Sequence, residues 1–289
     1  MTEIEESSQP DVQYLSYSGW KTYQRCPLEY KFNYIDNLPY TSDPRESLFG
    51  STIGKVFEWF YDRDLWKLPD PTAAALATTR EALLAVLAKE SFVPDDGADM
   101  ELLREIERNL AHYVPLGIEN IRKYKLLSES TRTEFKLHIT YKSNAHDFAI
   151  RMGGYADFIH GMKQPWILDG KSGSKSNVDT YQLIWYATQY YLRFHIAPVR
   201  LGFIFWLSPE EPLQWVDYEE HDIRHCVKQT YQAAQSIRLK MFDAKPSKRC
   251  KYCKYLSACE KGRTHIEAMD VEAKVRINPD ESILQLDDL

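Results

Sequence analysis

The chain has 289 residues, of which 44% are hydrophobic and 27% charged, with a net charge of -6. No apolar run approaches the roughly 18 residues that a membrane-spanning helix needs, and the acidic N-terminus has no signal-peptide pattern. We therefore expect a soluble cytoplasmic protein that does not insert into a membrane. The acidic balance also means that any binding of nucleic acid must depend on a local basic patch.

The N-terminal part of the sequence predicts a mobile start followed by short helices. Residues 1–13 are polar and acidic, which is typical of a mobile segment. Ser18 is a favourable N-cap for a helix over 19–25, and Pro27 suits the first turn of a second helix over 27–35. Cys26 lies between these helices. Residues 14–55 are interpreted as one N-terminal helical segment.

Residues 56–126 predict a helical region. Leucines recur at helical spacing in the first half, and a second stripe follows in the stretch from 100 to 114. The stripes consist of Leu76, Leu83, Leu84 and Leu87, and of Leu102, Leu103, Ile106, Leu110 and Tyr113. Leucine stripes of this kind indicate a packed layer of helices rather than a catalytic one.

The period changes to that of strands after residue 130, and 127–245 is interpreted as the core domain. Strands are predicted over 133–141, 148–161, 165–173 and 199–208, with helices over 181–195 and 221–242. Strands alternating with helices in this order predict a mixed sheet flanked by helices. Cys226 falls on the apolar face of the last helix, where a packed core thiol is expected.

The sequence WILDGKSGSK ends a hydrophobic strand with Asp169 and Lys171, whose side chains point to the same side. Asp157 ends the preceding strand, and a short loop makes the two strands neighbours. Two carboxylates with the carbonyl of Gly170 suit a hard cation such as Mg²⁺ or Mn²⁺. Lys171 is then placed to help hold a metal-bound water as hydroxide and to stabilise charge on a phosphate.

These residues resemble a known signature. Asp157 followed by Asp169-Gly170-Lys171 is similar to the motif of PD-(D/E)XK nucleases, and the helix with Gln182 and Tyr186 resembles the QxxxY motif of the RecB-type branch. The resemblance covers residues 14–263. It implies a restriction-endonuclease-like central mixed sheet flanked by helices, with a helical insertion, and it implies that Gln182 and Tyr186 line the active site.

Four of the five cysteines extend the resemblance. Cys26, Cys250, Cys253 and Cys259 match the spacing of the AddB-like and CRISPR-associated exonucleases, which implies a 4Fe-4S cluster that staples the N- and C-terminal regions together. The segment 246–263 is thus the cysteine-cluster segment, and 274–289 is predicted to be a mobile acidic tail. An alternative remains, because His265 with the three C-terminal cysteines would make a zinc site.

One residue departs from the family pattern. Gly54 stands where the family carries a metal-binding His. Glu58 is one helical turn further on, and it or His160 is a candidate to approach the metal instead. Glu134 recurs in related enzymes, although a strand glutamate is more often structural, so little weight falls on it as a ligand.

The resemblance implies a metal-dependent deoxyribonuclease, specifically an exonuclease on single-stranded DNA. It places the protein in recombination, repair, phage DNA processing or CRISPR adaptation, with DNA as the substrate and a helicase or a recombination or CRISPR protein as a partner. The basic stretch KPSKRCKYCK is a candidate for binding phosphates. The alternative is a catalytically decayed DNA-binding or scaffold protein on the same fold, which the glycine at position 54 motivates.

Overall fold

The computed structural model describes residues 12–40, 45–161, 163–173, 175, 178–206, 208 and 210–277, with side chains except at 46 and 270–277. Most of the two segments predicted to be mobile, 1–13 and 274–289, lies outside these residues. Their described parts belong to regular elements, because a strand begins at Val12 and the last helix ends at Ile277.

The chain divides into two compact units. The larger unit comprises residues 1–17 and 43–231, and the smaller unit comprises residues 18–42 and 232–289. Each unit therefore combines segments that are distant in sequence. The four cysteines predicted to bind a cluster all belong to the smaller unit, and the carboxylates of the predicted active site all belong to the larger one.

Two sheets lie in the larger unit. Their strands are β1 (Val12–Ser16), β2 (Thr131–Lys136), β3 (Ile139–Tyr141), β4 (Ala149–Gly153), β5 (Tyr155–His160), β6 (Trp166–Lys171), β7 (Arg200–Phe205) and β8 (Leu213–Val216). The first sheet has the order β2-β5-β6-β7-β8, and the second has the order β1-β4-β3. Strand β6 pairs antiparallel with β5 and parallel with β7, so the mixed α/β architecture expected from the sequence is confirmed.

The sheet pattern differs from the prediction in two respects, because β1 and β8 lie where no strand was predicted and two of the predicted strands are broken. The single strands predicted over 133–141 and 148–161 each divide into two, and the halves join different sheets. Leu137 lies between β2 and β3, and Gly154 lies between β4 and β5, where Leu137 N–H donates to the Gly154 carbonyl at 3.0 Å. The alternation of apolar residues continues through both breaks, so the period alone does not reveal the change of sheet.

The helices are α1 (Tyr17–Arg25), α2 (Pro27–Tyr30), α3 (Arg45–Asp62), α4 (Pro71–Ala77), α5 (Thr79–Lys89), α6 (Gly97–Lys123), α7 (Tyr181–Phe194), α8 (Glu220–Arg238) and α9 (Glu260–Ile277). The helical layer therefore begins at residue 45, earlier than the predicted 56. Two aspartates cap its helices, because Asp70 accepts from Ala73 N–H and Asp96 from Asp99 N–H.

The helical layer packs on the five-stranded sheet through aromatic contacts. Phe57 of α3 stacks on Trp206 with ring centroids 4.1 Å apart, and Phe158 of β5 meets the same indole edge-on. Leu168 and Ile204 of the central strands complete this core. Helix α3 is thus held against the strands that carry the predicted active-site residues.

Helix α7 is fixed by buried polar contacts as well as by packing. Trp185 donates to the Gly153 carbonyl at 3.3 Å, and Gln189 donates to the Leu137 carbonyl at 2.6 Å. These bonds satisfy buried polar groups at the breaks between the two sheets. In α8, Cys226 is fully buried, which confirms the prediction of a packed core thiol.

The smaller unit is held together by contacts between its two segments. The Tyr23 hydroxyl donates to the Met241 carbonyl at 2.7 Å, and the ring of Tyr30 stacks on Phe242. Asn33 accepts from Tyr255 and from Lys254 at 2.7 and 3.0 Å. The second predicted helix is α-helical only to Tyr30 and continues as a π-helical turn over Lys31–Ile35.

The packing of α6 on α3 gives a test of the core. A Cβ on Gly117 would lie 2.3 Å from Cζ of Phe57, whose ring is fully buried and stacks on Trp206. We expect Gly117→Ala to lower the free energy of unfolding by roughly 1–2 kcal/mol, because overpacking outweighs the gain in helix propensity.

Gly54 offers the matched control in urea-unfolding measurements. A Cβ there would meet no atom within 4 Å, so Gly54→Ala should raise the free energy of unfolding by about 0.5–1 kcal/mol. A stabilising effect of both substitutions would contradict the packing described for Phe57.

Candidate active site

Asp157 and Asp169 lie on neighbouring strands at the same level. The ladder between β5 and β6 pairs Phe158 with Leu168, so the next position along sets Asp157 opposite Asp169. Opposite residues of an antiparallel pair share a face of the sheet. Asp157 also accepts the N–H of Gly170 through Oδ2 at 2.8 Å. The two carboxylates predicted from the sequence therefore meet.

The indole of Trp206 leaves no space for a side chain at Gly170. A Cβ at this position would lie 2.8 Å from the indole of Trp206. The residue between Asp169 and Lys171 must therefore be small, since a side chain would push away the indole that packs α3 on the sheet. The backbone of Gly170 can then lie in the wall of the cavity beside Asp157.

Glu134 extends the pair of carboxylates to a row of three. The ladder between β2 and β5 pairs Thr133 with Phe158 and Phe135 with Ala156, so Glu134 stands opposite Asp157. Its φ of 44° is in the left-handed region, which a side chain of this kind adopts at a cost of about 1 kcal/mol or more. The strand is distorted at the position where a carboxylate enters the site.

Lys171 connects the carboxylates to α7. Its ammonium forms an ion pair with Oδ2 of Asp169 and donates to Oε1 of Gln182 at 3.0 Å. The amide of Gln182 donates in turn to the Tyr186 hydroxyl at 3.0 Å. The glutamine and tyrosine are one helical turn apart, so both reach the same side of α7. This chain of contacts joins four of the five residues predicted to be catalytic. The fifth, Asp157, stands opposite Asp169.

The site opens into a cavity of about 510 Å³ within the larger unit. Its wall includes Glu134, Asp157, Gly170 and Lys171 from the sheet, and Gly54, Lys55 and Glu58 from α3. Lys89 of α5 lies at the exposed rim. The cavity thus brings together a row of acidic groups and several lysines, which is the mixture that a phosphate and a cation together require.

The electrostatics follow from this crowding. Burial, and then the Asp169 carboxylate, raise the pKa of Asp157 well above its usual range. Burial likewise raises the pKa of Asp169, although Lys171 opposes the shift. Desolvation and the Glu58 carboxylate raise the pKa of Glu134. Carboxylates that repel one another in this way are stabilised by a bound cation.

The residues suit a divalent metal. Oδ2 of Asp169 is buried and forms an ion pair with the Lys171 ammonium, and Asp157 stands opposite it. Oxygen donors of this kind are the ligands that Mg²⁺ and Mn²⁺ prefer. Asp157, Asp169 and the Gly170 carbonyl, the ligands predicted from sequence, all lie at this point of the sheet.

The residues named as substitutes for the missing His differ in position. Glu58 lines the cavity, but its Oε2 accepts the ammonium of Lys55 at 2.5 Å. His160 is three residues from Asp157 on β5 and so points to the other face, where its Nδ1 bonds to the Thr131 hydroxyl at 2.8 Å. The suggestion that His160 approaches the metal is wrong. Gly54 faces open space.

The four cysteines line a second cavity, of about 320 Å³, in the smaller unit. Three of their sulfurs accept backbone N–H groups: Cys26 from Lys245 at 3.5 Å, Cys250 from Ser247 at 3.4 Å, and Cys259 from Gly262 at 3.3 Å. Such bonds are typical of thiolates that ligate a metal centre. The structure therefore brings Cys26 to the three C-terminal cysteines. The first of these, Cys250, lies 224 positions after Cys26 in the sequence.

Among the described residues, Asp95, Asp96 and Asp99 form a group of three metal-type ligands whose atoms lie within 4.8 Å of one another. The acidic group has a structural explanation, because Asp96 caps α6 and Asp99 pairs with Arg45 at 2.7 Å.

A family model of the PD-(D/E)XK nuclease superfamily matches residues 14–260. The chain belongs to this superfamily. PD-(D/E)XK enzymes are nucleases that use divalent metals such as Mg²⁺ or Mn²⁺, which agrees with the donors gathered on β5 and β6. No curated protein matches the chain. None of the helices in the described residues is both long and apolar enough to cross a membrane.

One solved structure similar to this PD-(D/E)XK protein is described as "Crystal structure of SSO0001". The two chains are 13% identical over 90% of this chain and 89% of the other, with a TM-score of 0.33. A similarity this distant carries no argument about the fold or the function.

Glu134, to which the sequence gives little weight as a ligand, stands opposite Asp157 and lines the cavity. It falls in an alternating strand as any solvent-facing glutamate would, and its position opposite Asp157 depends on the register of β2 with β5. Once β2 is paired with β5 in this register, Glu134 is the acidic residue at the level of Asp157. Without that pairing, the sequence contains no pattern that distinguishes Glu134.

The raised carboxyl pKa values predict how the stability of the metal-free protein depends on pH. A carboxyl with a raised pKa in the folded state binds more protons than in the unfolded state, so stability falls as pH rises from about 4 through the folded-state pKa. Asp157→Asn removes one charge and keeps an acceptor for Gly170 N–H. We expect it to stabilise the protein in EDTA, by roughly 1 kcal/mol at pH 8 and less at pH 5.

Urea unfolding of both proteins at the two pH values measures the difference. A gain that is the same at pH 5 and pH 8 would show that the Asp157 carboxylate is not crowded by its neighbours. A loss of stability at both values would show that the carboxylate contributes to the fold.

Proposed function

We propose that this protein is a metal-dependent deoxyribonuclease that acts as an exonuclease on single-stranded DNA. The observation that supports it best is the row of Glu134, Asp157 and Asp169 beside the connected side chains of Lys171, Gln182 and Tyr186. Acidic groups that repel one another serve no packing purpose here, and two of them, Glu134 and Asp157, line an open cavity with Lys55, Lys89 and Lys171. Groups destabilised in this way are typical of functional sites.

Each residue has a role that its contacts suggest. Asp157, Asp169 and the Gly170 carbonyl would hold the cation, with Glu134 and Glu58 able to reach it from β2 and α3. A bound Mg²⁺ or Mn²⁺ supplies a polarised phosphate and a water of lowered pKa. Lys171 carries its positive charge at the carboxylates, where it can stabilise negative charge on a phosphate.

Gln182 and Tyr186 are positioning residues in this proposal. Gln182 accepts from the Lys171 ammonium and donates to the Tyr186 hydroxyl, so it sets the direction of the lysine. Burial, followed by the Asp169 charge, raises the pKa of Tyr186, which keeps its hydroxyl protonated. A protonated tyrosine next to the site can donate a hydrogen bond to a phosphate oxygen or a water.

The finer parts of the function are supported by the resemblance to RecB-type enzymes. The Gln182 and Tyr186 pair and the cysteine spacing favour a single-strand exonuclease. The same resemblance favours work in recombination, repair, phage DNA processing or CRISPR adaptation, beside a helicase or another partner protein.

A 4Fe-4S cluster is proposed for the cavity of the smaller unit, with Cys26, Cys250, Cys253 and Cys259 as its ligands. The support is the shared cavity and the backbone N–H groups directed at three sulfurs. Four thiolates are the usual ligand set of such a cluster. Bound there, the cluster would join the N-terminal and C-terminal segments of this unit.

A decayed nuclease that still binds DNA is the second candidate. Gly54 favours it, since the expected His is absent and the space beside the glycine is open. This candidate predicts DNA binding without hydrolysis. It therefore differs from the first candidate in one measurable property.

Cleavage of end-labelled single-stranded DNA with Mn²⁺ separates the two candidates. We expect the wild type to degrade linear strands and to leave a circular single strand intact. Asp169→Asn and Lys171→Met should each reduce the rate by roughly 100-fold or more, since the first removes a charge that holds the cation and the second a charge that acts on the phosphate. Matched controls are the exposed Asp147→Asn and Lys142→Met, which should retain the wild-type rate.

Two outcomes would contradict the exonuclease. A wild type that binds the strand and leaves it intact would identify the decayed nuclease. Cleavage of the circular strand at the same rate as the linear one would identify an endonuclease. Retention of full activity by both active-site variants would remove the carboxylate row from the chemistry.

The cluster proposal is tested by spectroscopy of anaerobically purified protein. We expect a brown protein with absorbance near about 400 nm that Cys26→Ser and Cys253→Ser abolish, because the cluster needs all four thiolates. Cys226→Ala is the matched control, since this cysteine is buried in the larger unit and should leave the spectrum unchanged. A colourless protein with one equivalent of zinc would contradict the cluster.

A further inference from the structure

Positive charge is concentrated in the smaller unit. Residues 18–40 and 232–269 contain twelve lysines and arginines against five aspartates and glutamates, whereas the whole chain has a net charge of -6. Two of the five acids are already paired within the unit, Glu29 with Arg25 and Asp36 with Lys31. The unit therefore carries an excess of positive charge, which would attract a partner of negative charge.

The densest part of this charge is the segment Lys245 to Lys254. It holds five cations in ten residues and no carboxylate. Two of the five have partners inside the unit, because Lys245 donates to the Gln24 carbonyl and Lys254 donates to Asn33. The other three are exposed and have no ion pair among the described residues: Lys248, Arg249 and Lys251.

The short helix over Lys248–Tyr252 arranges these side chains in two rows. It is a 3₁₀ helix, in which residues three apart stand above one another. Lys248 is therefore aligned with Lys251, and Arg249 with Tyr252. Arg249 and Tyr252 lie at the rim of the cysteine cavity, and the two lysines do not line it. Cations thus occur on both sides of the helix, and the side with Arg249 also carries the ring of Tyr252.

Tyr252 is unusual for its exposure. Its ring is 84% accessible, the largest value among the exposed large hydrophobic residues of the described structure. A second exposed ring, Tyr40, is 46% accessible and has the Lys254 ammonium 3.3 Å from its centroid. Packing does not account for an aromatic ring that contacts so little protein. Exposed aromatic rings among cations are the features that bind unpaired nucleic acid, since bases stack on the rings and phosphates meet the charges.

We propose that the 3₁₀ helix Lys248–Tyr252 of the cysteine unit is a binding surface for single-stranded DNA, with Lys248, Arg249 and Lys251 on phosphates and Tyr252 stacked on a base. The proposal rests on the proposed function, because it takes DNA as the substrate. It adds a strand-binding surface that lies on a different unit from the carboxylates. A local basic surface of this kind would let a protein of acidic net charge bind DNA.

Fluorescence anisotropy of labelled dT20 tests the proposal with full-length, anaerobically purified protein in EDTA, which prevents hydrolysis. We expect the triple variant Lys248→Gln, Arg249→Gln, Lys251→Gln to bind at least about tenfold more weakly at low salt. The slope of log affinity against log salt should fall by about 2, since each contact to a single strand contributes about 0.7. A matched triple control in the larger unit is Arg122→Gln, Lys142→Gln, Lys228→Gln, all exposed, and it should bind as the wild type does.

Tyr252 is tested separately on single-stranded and duplex DNA. Tyr252→Ala should weaken binding of dT20 about tenfold and leave a blunt duplex of equal length unchanged, because only unpaired bases stack on the ring. Tyr252→Phe keeps the ring and should bind within about twofold of the wild type. An equal loss for the strand and the duplex would overturn the assignment of stacking to Tyr252.

The absorbance of each variant shows whether the cysteine unit is intact. If the triple variant loses this absorbance, the binding measurement is made on the three single variants instead. Each single variant should lower the slope of log affinity against log salt by about 0.7. A wild type that cleaves DNA, together with variants that keep the wild-type affinity and slope, would overturn this surface and leave the proposed function standing. A wild type that neither binds nor cleaves the strand would overturn both.

Discussion

The structure of the larger unit depends on holding three acidic side chains in one row across β2, β5 and β6. Water would normally separate such charges, and here the sheet register brings them together. Asp169 is only 2% exposed, and its pKa is raised by that burial in spite of the adjacent Lys171. In the proposed function a bound cation would relieve this repulsion, so the arrangement that costs stability in the free protein would provide affinity for metal.

The surrounding fold can be understood as the support of that row. The stacking of Phe57 on Trp206 holds α3 against the sheet, and the absence of a side chain at Gly170 makes room for the indole. On α7, Gln182 fixes the direction of the Lys171 ammonium. The cysteine unit is built separately from two distant segments, and its excess of positive charge differs sharply from the acidic character of the whole chain.

The sequence predicted the parts of the site that depend on local order. A strand that ends in Asp169 and Lys171, followed by a helix with Gln182 and Tyr186, requires only that the helix return to the strand it follows, and these residues do meet in the structure. The mixed α/β class followed from alternating elements. The role of Glu134 could not be predicted in this way, because it depends on which residue of β5 it faces.

Other features depend on tertiary packing that a linear pattern does not contain. The break near Leu137 that sends β2 and β3 to different sheets leaves the alternation intact. The opposite orientation of His160 follows from strand geometry once β5 is known to be regular through Asp157. The exposure of Tyr252 also required the structure, since an aromatic residue between two cysteines would be expected to pack.

Anomalous scattering from a crystal of the protein soaked in Mn²⁺ would show whether the two aspartates bind a metal. We expect a peak about 2.0–2.2 Å from oxygens of Asp157 and Asp169 and from the carbonyl of Gly170. The peak should disappear in Asp157→Asn crystals. A peak confined to the acidic group at Asp95, Asp96 and Asp99, with none between β5 and β6, would contradict the account.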